Sequence, residues 1–277
     1  MGWSPVGNFA VTLVDWVEAN LAWLLTLIKD VLQSALDTLE IVLRGLEPTL
    51  FIIVAVILSL LISKRLILSI TVGLLFYIIY WMGYWNSAMV TLNMVLVATF
   101  VALLLAIPIG IAAAKSDKLE PHVKVVMDFM QTMPAFVYLI PVLIFFSVGA
   151  VPGVIATVIF AMPPAVRLTN LGIRQVPLEM NEVADSFGSS GFQKLTKVQM
   201  PIAMPSIMAG VNQCIMLALS MVVIASLIGG GGLGADINSA LNAPRRIAVP
   251  LGFESGLAVV FIAIILDRLT QSGRGNN

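Results

Sequence analysis

The chain has 277 residues but few charged side chains, one cysteine and one histidine. The single cysteine, Cys214, excludes an intrachain disulfide framework and a Cys-x-x-Cys metal site. It lies in an apolar run, where we expect a buried structural thiol. His122 stands among Lys118, Glu120 and Lys124, which is typical of a solvated connector. We therefore expect neither a catalytic residue nor a metal site on this chain.

Motifs for nucleotide binding are also missing. No G-x-x-x-x-G-K-[ST] sequence occurs, so this chain cannot itself cradle the phosphates of ATP, and we expect no cofactor on it. Gly229, Gly231 and Gly234 fit G-x-G-x-x-G, but an apolar helix precedes them, whereas a dinucleotide site requires a strand before its turn. We interpret these glycines as a tight external turn at the end of a span, where they shape a gate.

Apolar surface dominates the chain. Hydrophobic residues make up 59% of it and charged residues only 11%, unlike a soluble globular domain. Because a spanning helix needs about 20 apolar residues, we predict an all-α, polytopic membrane protein with seven spans. The predicted spans are 48–63, 66–83, 88–113, 126–147, 150–166, 206–228 and 250–267. Three prolines weaken the short fifth span, for which we expect a kink or a partly re-entrant path.

Positive charge predicts the orientation of the spans, because lysine and arginine are enriched on the cytoplasmic side. Most of the fifteen basic residues follow the first, third, fifth and seventh spans. We therefore predict an external N-terminus and a cytoplasmic C-terminus. Trp81, Tyr84 and Trp85 gather at the opposite edge, as an external aromatic belt would.

The N-terminal residues are predicted to form a separate segment. Five charged residues recur there at helical spacing beside an apolar stripe: Asp30, Asp37, Glu40, Arg44 and Glu47. This pattern predicts an amphipathic helix in the membrane interface rather than a further span. The first five residues include no basic n-region, so we expect no cleavable signal. The predicted division is 1–46 for this segment, 47–271 for the membrane domain and 272–277 for a C-terminal tail.

Few charged residues fall near membrane depth. Asp128, Glu254 and Asp267 lie close to the ends of predicted spans. We expect Asp128 to pair with Lys124 one turn earlier, and Glu254 to pair with one of the arginines at 245–246. A relay of acids at mid-membrane depth, which an ion-driven carrier often contains, is missing from the sequence.

A polar island interrupts the apolar chain between residues 167 and 205. Pro177 suits the first position of a short helix, Glu179 its first turn and Gly188 its left-handed end. Ser190 and Gln193 have the spacing of a capping box for a second short helix. We expect this second helix to stop before a proline at position 201. The predicted structure is a helix–glycine–helix elbow.

The first helix of this elbow has a distinctive surface. Val183, Ala184 and Phe187 share one face, and Glu182 and Asp185 lie towards its flank. We predict that Ala184 and Phe187 form an apolar knob with acidic edges. Such an element suits a groove on a soluble partner protein.

The same residues resemble the coupling loop of ATP-binding cassette (ABC) importer permeases, which reads E-A-A, three residues, G, nine residues, I-x-L-P. The positions in register are Glu182, Ala184, Gly188, Val198, Met200 and Pro201. Valine replaces the first alanine at 183 and the isoleucine at 198, and methionine replaces the leucine at 200. Three blocks, 130–141, 167–177 and 218–226, resemble more narrowly the permeases for glycine betaine, proline betaine and choline. The resemblance covers roughly residues 45–271.

This resemblance implies a type I ABC importer fold and a multi-pass location in a bacterial or archaeal-type inner membrane. It also implies partners: a second permease copy, two ATPase subunits that bind ATP and magnesium, and an external substrate-binding protein. Lipid surrounds the spans, and we expect no nucleic-acid partner. The ATPase would dock at six positions of the loop: Glu182, Ala184, Asp185, Phe187, Gly188 and Pro201. The substrate-binding residues stay unassigned.

Two other functions remain open from the residues. An ion-gradient-driven secondary transporter would show intramembrane acids and inverted repeats with broken helices. Pro108, Pro134 and Pro141 can break helices, but such a transporter would leave the docking loop unexplained. A membrane anchor or sensor subunit for a partner complex is the third hypothesis.

Overall fold

The computed structural model describes residues 4–272, which contain twelve α-helices and no β-strand. The helices are α1 (Pro5–Gly45), α2 (Pro48–Ser63), α3 (Leu66–Trp81), α4 (Trp85–Ala114), α5 (Leu119–Thr132), α6 (Ala135–Phe146), α7 (Ala150–Arg174), α8 (Leu178–Ser186), α9 (Gly191–Lys194), α10 (Met200–Ala225), α11 (Gly232–Leu241) and α12 (Arg245–Ser272). The all-α prediction is confirmed. Except for Ser272, the predicted C-terminal tail lies outside the described residues.

Helix α7 is the centre of the fold, with α4 and α10 packed along it. Close approach of these helices depends on small residues. A Cβ atom on Gly110 of α4 would lie 2.6 Å from the Cβ of Thr169 in α7. One on Gly210 of α10 would lie 3.0 Å from the Cα of Ala165 in α7. Small residues at helix crossings are the usual way in which membrane helices gain van der Waals contact.

Each of the seven predicted spans contains α-helix, but the helices differ in length. Within residues 4–272, five helical stretches are long and apolar enough to cross a membrane: Gly7–Gly45, Trp85–Ala114, Ala150–Arg174, Gly191–Ile228 and Arg245–Ser272. Helices α5 and α6 provide a sixth if the bent pair counts as one span. Helices α2 and α3 are apolar but have only 16 residues each, about 24 Å at 1.5 Å per residue.

The broken span is the fourth, not the fifth. Helices α5 and α6 meet at an angle of 95°, where Met133 is extended (ψ 131°) and Pro134 follows. A proline disfavours helical geometry in the residue before it. The fifth span instead lies within a continuous helix, α7, although Pro163 and Pro164 are inside it. Both prolines are buried. The prediction of a partly re-entrant fifth span is wrong, because α7 is long and apolar enough to cross a membrane as one helix. A kink at the prolines stays a prediction.

The N-terminal segment is one helix of 41 residues. Leu32, Leu36 and Leu43 are buried in the core, and Asn93 of α4 donates its Nδ2–H to the carbonyl oxygen of Leu36 at 2.9 Å. The preceding turns are exposed and apolar. Because the helix continues through Lys29, its length and apolarity suffice for a span, contrary to the prediction that this segment is not a further span. An interfacial role for the charged stripe stays a prediction.

The aromatic belt prediction fails for Trp85. This side chain is 7% exposed and packs edge-to-face on Phe51 at 5.3 Å and on Phe76 at 6.2 Å between ring centroids. It therefore joins α2, α3 and α4 instead of facing lipid. Trp81, in contrast, is 77% exposed.

Tyr84 and Glu254 form a contact that the sequence pattern did not predict. Burial, then the carboxylates of Glu254 and Asp236, raise the pKa of Tyr84, and its hydroxyl is hydrogen bonded to Glu254. No ion pair joins Glu254 to the arginines at 245–246 within the described residues, so that pairing was predicted wrongly. Glu254 has its hydrogen-bond partner across the helix interface instead.

Candidate functional site: the elbow after helix α7

The elbow comprises residues 178–199, between α7 and α10. Its first helix, α8, ends in two hydrogen bonds that define a Schellman motif. The N–H of Ser189 donates to the carbonyl of Ala184 at 3.0 Å, and that of Gly188 to the carbonyl of Asp185 at 2.9 Å. Gly188 has φ +71°, in the left-handed region that favours glycine. The predicted glycine end is therefore present, and the chain reverses there. Pro177 stands one residue earlier than predicted, at the N-cap of α8.

The second helix begins with the predicted capping box. Ser190 Oγ accepts from the N–H of Gln193 at 3.3 Å, and Gln193 Oε1 accepts from the N–H of Ser190 at 2.9 Å. However, this helix does not stop before Pro201. A π-helical turn, Leu195–Gln199, carries the chain directly into α10, with the N–H of Met200 donating to the carbonyl of Leu195. Pro201 then lies in the first turn of α10, where its missing N–H is tolerated.

Two polar contacts fix the angle between the elbow helices. Lys194 Nζ lies 2.7 and 2.8 Å from the two carboxylate oxygens of Asp185. Gln199 Nε2 donates to Asn181 Oδ1 at 3.0 Å. Both contacts join α8 to the α9–π-turn segment. Asp185 is thus occupied within the elbow, whereas we predicted it as part of an outward acidic edge.

The exposed face of the elbow differs from the predicted knob in one residue. Phe187 is 85% exposed, as predicted, but Ala184 is only 5% exposed and packs inside the elbow. The other large apolar side chains that face outwards are Leu178, Met180, Val183 and Phe192. Glu182 is exposed beside them, and its carboxylate has no hydrogen-bond or ion-pair partner among residues 4–272.

A small apolar cluster anchors the elbow to the membrane domain. Leu195 is buried with Ile173 of α7 and with Ala203 and Ile207 of α10. Gly172 of α7 permits this close approach, since a Cβ there would lie 2.8 Å from the Cβ of Ser206. The second half of the elbow is therefore continuous with α10 and packed on α7. Displacement of the elbow would be transmitted to both helices.

Two arginines of α7 hold the neighbouring helix α5. Arg174 lies 2.7 Å from Asp117 and 3.2 Å from Glu120, and its guanidinium also donates to the carbonyl of Ala113 at 3.0 Å. Arg167 pairs with Asp128 at 2.6 Å. The predicted Lys124–Asp128 pair is therefore wrong: the longer, forked side chain of Arg167 reaches Asp128 from the adjacent helix.

The glycine turn lies at the other end of α10. A 3₁₀ turn, Ser226–Ile228, precedes it, and Gly229 and Gly231 have φ of +90° and +75°, so the predicted tight turn is present. Gly234 is not part of the turn but lies inside α11. A Cβ on Gly234 would lie 2.3 Å from Ser226 Oγ. Glycine is needed at position 234 because a larger side chain would not fit there, not because the backbone has a positive φ.

Sequence reasoning missed the contacts of Lys194, Asn181 and Gln199, and it missed helix α11. Lys194 lies nine residues after Asp185, so the two would not be neighbours on one helix face. Only the chain reversal at Gly188 brings them together. For α11 a local signal existed: residues 232–241 contain no proline and follow a glycine turn.

The chain matches known proteins along most of its length. Residues 106–271, which include the elbow, match the family described as "Binding-protein-dependent transport system inner membrane component". Over 97% of the chain, identity is 47% with the glycine betaine/carnitine transport permease protein GbuB of Listeria monocytogenes, 95% of which is covered. It is 42%, also over 97% of the chain, with the glycine betaine/proline betaine transport system permease protein ProW of Escherichia coli, 77% of which is covered.

Among solved structures, an inward-facing form of the MetNI methionine ABC transporter has the same fold. The match has a TM-score of 0.58 and 18% identity, and it covers 71% of this chain and 98% of that one. The type I importer architecture predicted from the sequence is confirmed. The chain therefore belongs to the family of binding-protein-dependent transport system inner membrane components, and it is the multi-pass inner-membrane permease subunit of an ABC transporter.

Proposed function

We propose that this permease imports glycine betaine or a related quaternary ammonium osmoprotectant, driven by ATP hydrolysis on partner subunits. The elbow is the observation that carries the coupling role. It offers an exposed apolar face around Phe187, an unpaired carboxylate at Glu182 and a packed connection to α7 and α10. The substrate class rests on the relatives, whose names specify glycine betaine with carnitine or proline betaine.

In this proposal, two ATPase subunits bind the elbows of two permease copies. Phe187 and its apolar neighbours seat in a groove, and Glu182 pairs with a basic rim. Because the elbow continues into α10 through the π-turn, closure of the ATPases on ATP and magnesium moves it as a lever. The permease itself performs no catalysis and binds no nucleotide. An external binding protein supplies the substrate and most of the selectivity.

The test is ATP-dependent uptake in membrane vesicles that contain the permease, its co-purifying ATPase and the binding protein. We expect uptake of labelled glycine betaine to require ATP, and unlabelled proline betaine, choline or carnitine to reveal selectivity by competition. Uptake that persists without ATP and follows an ion gradient would instead establish a secondary transporter. Stable ATPase binding without uptake of any solute would indicate an anchor or sensor.

Docking at the elbow can be tested separately with Glu182→Lys. The new lysine places like charge against the basic rim, so we expect loss of the ATPase from the purified complex or loss of uptake at a normal amount of permease. Glu47→Lys makes the same charge change at an exposed carboxylate outside the elbow and should leave both readouts unchanged. If Glu182→Lys retains the ATPase and full uptake, Glu182 is not a docking residue.

A further inference from the structure

A cavity opens between the start of α3 and the end of α12, away from the elbow. It measures about 780 Å³, within the range of ligand sites in proteins. Its walls include Leu68 and Leu75, and the fully buried side chains Val72 and Ile265 form its floor. Thr71 also lines this apolar part, but its hydroxyl donates a hydrogen bond to the carbonyl oxygen of Ile67 at 2.9 Å. The slot therefore suits a hydrocarbon chain rather than a polar solute.

Two arginines stand at one end of the same cavity. Arg65 precedes the first turn of α3, and Arg268 lies in the last turns of α12. The acid beside them, Asp267, accepts hydrogen bonds from Asn212 at 3.1 Å and from Gln271 at 2.6 Å. Among residues 4–272, no acidic residue lines the cavity. The cavity thus combines an apolar slot with cationic side chains at its end, which is the chemistry of an anionic amphiphile.

The position of the cavity identifies the source of such an amphiphile. Basic residues at 64–65 and 268 lie at the ends of spans that the charge distribution places on the cytoplasmic side. Basic pockets between membrane helices on that side bind the head groups of anionic lipids. The lipid-facing walls, including Ile67 and Ile264, are exposed, so a lipid can enter from the bilayer.

We propose that the groove between α3 and α12 binds an anionic phospholipid of the inner leaflet. Its phosphate contacts Arg65 and Arg268, and one acyl chain lies along Leu68, Val72 and Leu75. The bound lipid joins two helices that are distant in the sequence and fixes the end of α12 against α3. This site lies outside the coupling elbow and does not depend on which solute is transported.

For the test, the assembled transporter is reconstituted in nanodiscs of mixed phosphatidylglycerol and phosphatidylcholine and then extracted gently with detergent. Native mass spectrometry measures how much phosphatidylglycerol the transporter retains. A basic residue near an anionic surface contributes roughly fivefold in affinity, so Arg65→Gln/Arg268→Gln should weaken lipid affinity by about 25-fold and reduce retention accordingly. Thr71→Trp, which fills the slot while both arginines remain, should also reduce it. Arg245→Gln/Arg246→Gln removes the same charge at exposed positions and should retain lipid normally.

Each alternative has its own outcome. Equal retention of phosphatidylcholine and phosphatidylglycerol by the unmodified protein would overturn the proposal, as would unchanged retention by Arg65→Gln/Arg268→Gln. Equal loss in Arg245→Gln/Arg246→Gln would show a non-specific charge effect. If Thr71→Trp retains lipid fully and inorganic phosphate displaces that lipid, the arginines form an anion site without an acyl-chain groove, which also overturns it. Folding is checked in every variant by size-exclusion chromatography and ATPase retention.

Discussion

Lys194 places its ammonium group between the two carboxylate oxygens of Asp185, at 2.7 and 2.8 Å, and so connects the helices on either side of the Gly188 reversal. The pair is partly exposed, with 24% of the lysine and 56% of the aspartate side chain accessible. Its contribution to global stability is therefore small, at most about 1 kcal/mol. Its importance is geometric, because it holds α8 against α9 where little else joins them.

Charge-reversal variants of this pair should distinguish its effect on the angle between the elbow helices from its effect on global stability. We expect Asp185→Lys to reduce ATP-driven uptake several-fold, since two cations would push the helices apart, with little change in melting temperature. The double variant Asp185→Lys/Lys194→Asp should recover much of the uptake. Vesicle uptake and thermal unfolding measure the two effects. If the double variant is as inactive as the single one, the charge of Asp185 acts on a partner rather than on Lys194.

Gly188 provides a second test of the elbow. Valine disfavours the left-handed conformation by about 1–2 kcal/mol or more, so Gly188→Val should redirect α9 and abolish coupling while the spans still insert. Space is not the obstacle, because no atom lies within 4 Å of a Cβ built there. Gly191→Val is the matched control, since Gly191 is equally open and has no positive φ. We expect normal uptake for Gly191→Val; equal uptake by both variants would contradict the prediction.

Gly234 should be sensitive to size. A valine there would bring its Cβ within 2.3 Å of Ser226 Oγ and 2.5 Å of the carbonyl oxygen of Val223. We expect Gly234→Val to displace α11 from α10 and to impair uptake strongly, with ATPase binding retained because the elbow lies at the other end of α10. Gly256→Val, in open space on α12, is the control. Normal uptake by Gly234→Val would mean that the segment is only a linker.

The orientation of the chain can be measured by thiol labelling. Cys214 is fully buried, so the native thiol should give little background. Cysteines at the exposed positions Lys118 and Thr196 should resist an impermeant reagent in intact cells, and one at Asn242 should react. Reaction of Thr196→Cys from outside would reverse the topology and place the elbow on the wrong side for an ATPase.

Much of the elbow could be predicted from the sequence. The left-handed end at Gly188 and the capping box of Ser190 and Gln193 involve residues within a few positions of each other. Backbone sterics and short-range hydrogen bonds decide such features wherever the segment is placed. The apolar runs likewise predicted every spanning helix from α2 to α12, because the length of a run and the absence of charge are local properties.

Tertiary structure decided which side chains meet. The burial of Ala184, the partner of Asp128, the inward packing of Trp85 and the groove between Arg65 and Arg268 all depend on helices separated by many residues. Helical periodicity assigns a residue to a face, but it does not say what packs against that face. The same limit applies to the end of α1, where Leu32, Leu36 and Leu43 pack in the core. In each case the deciding energy is contact between distant segments, which no local pattern encodes.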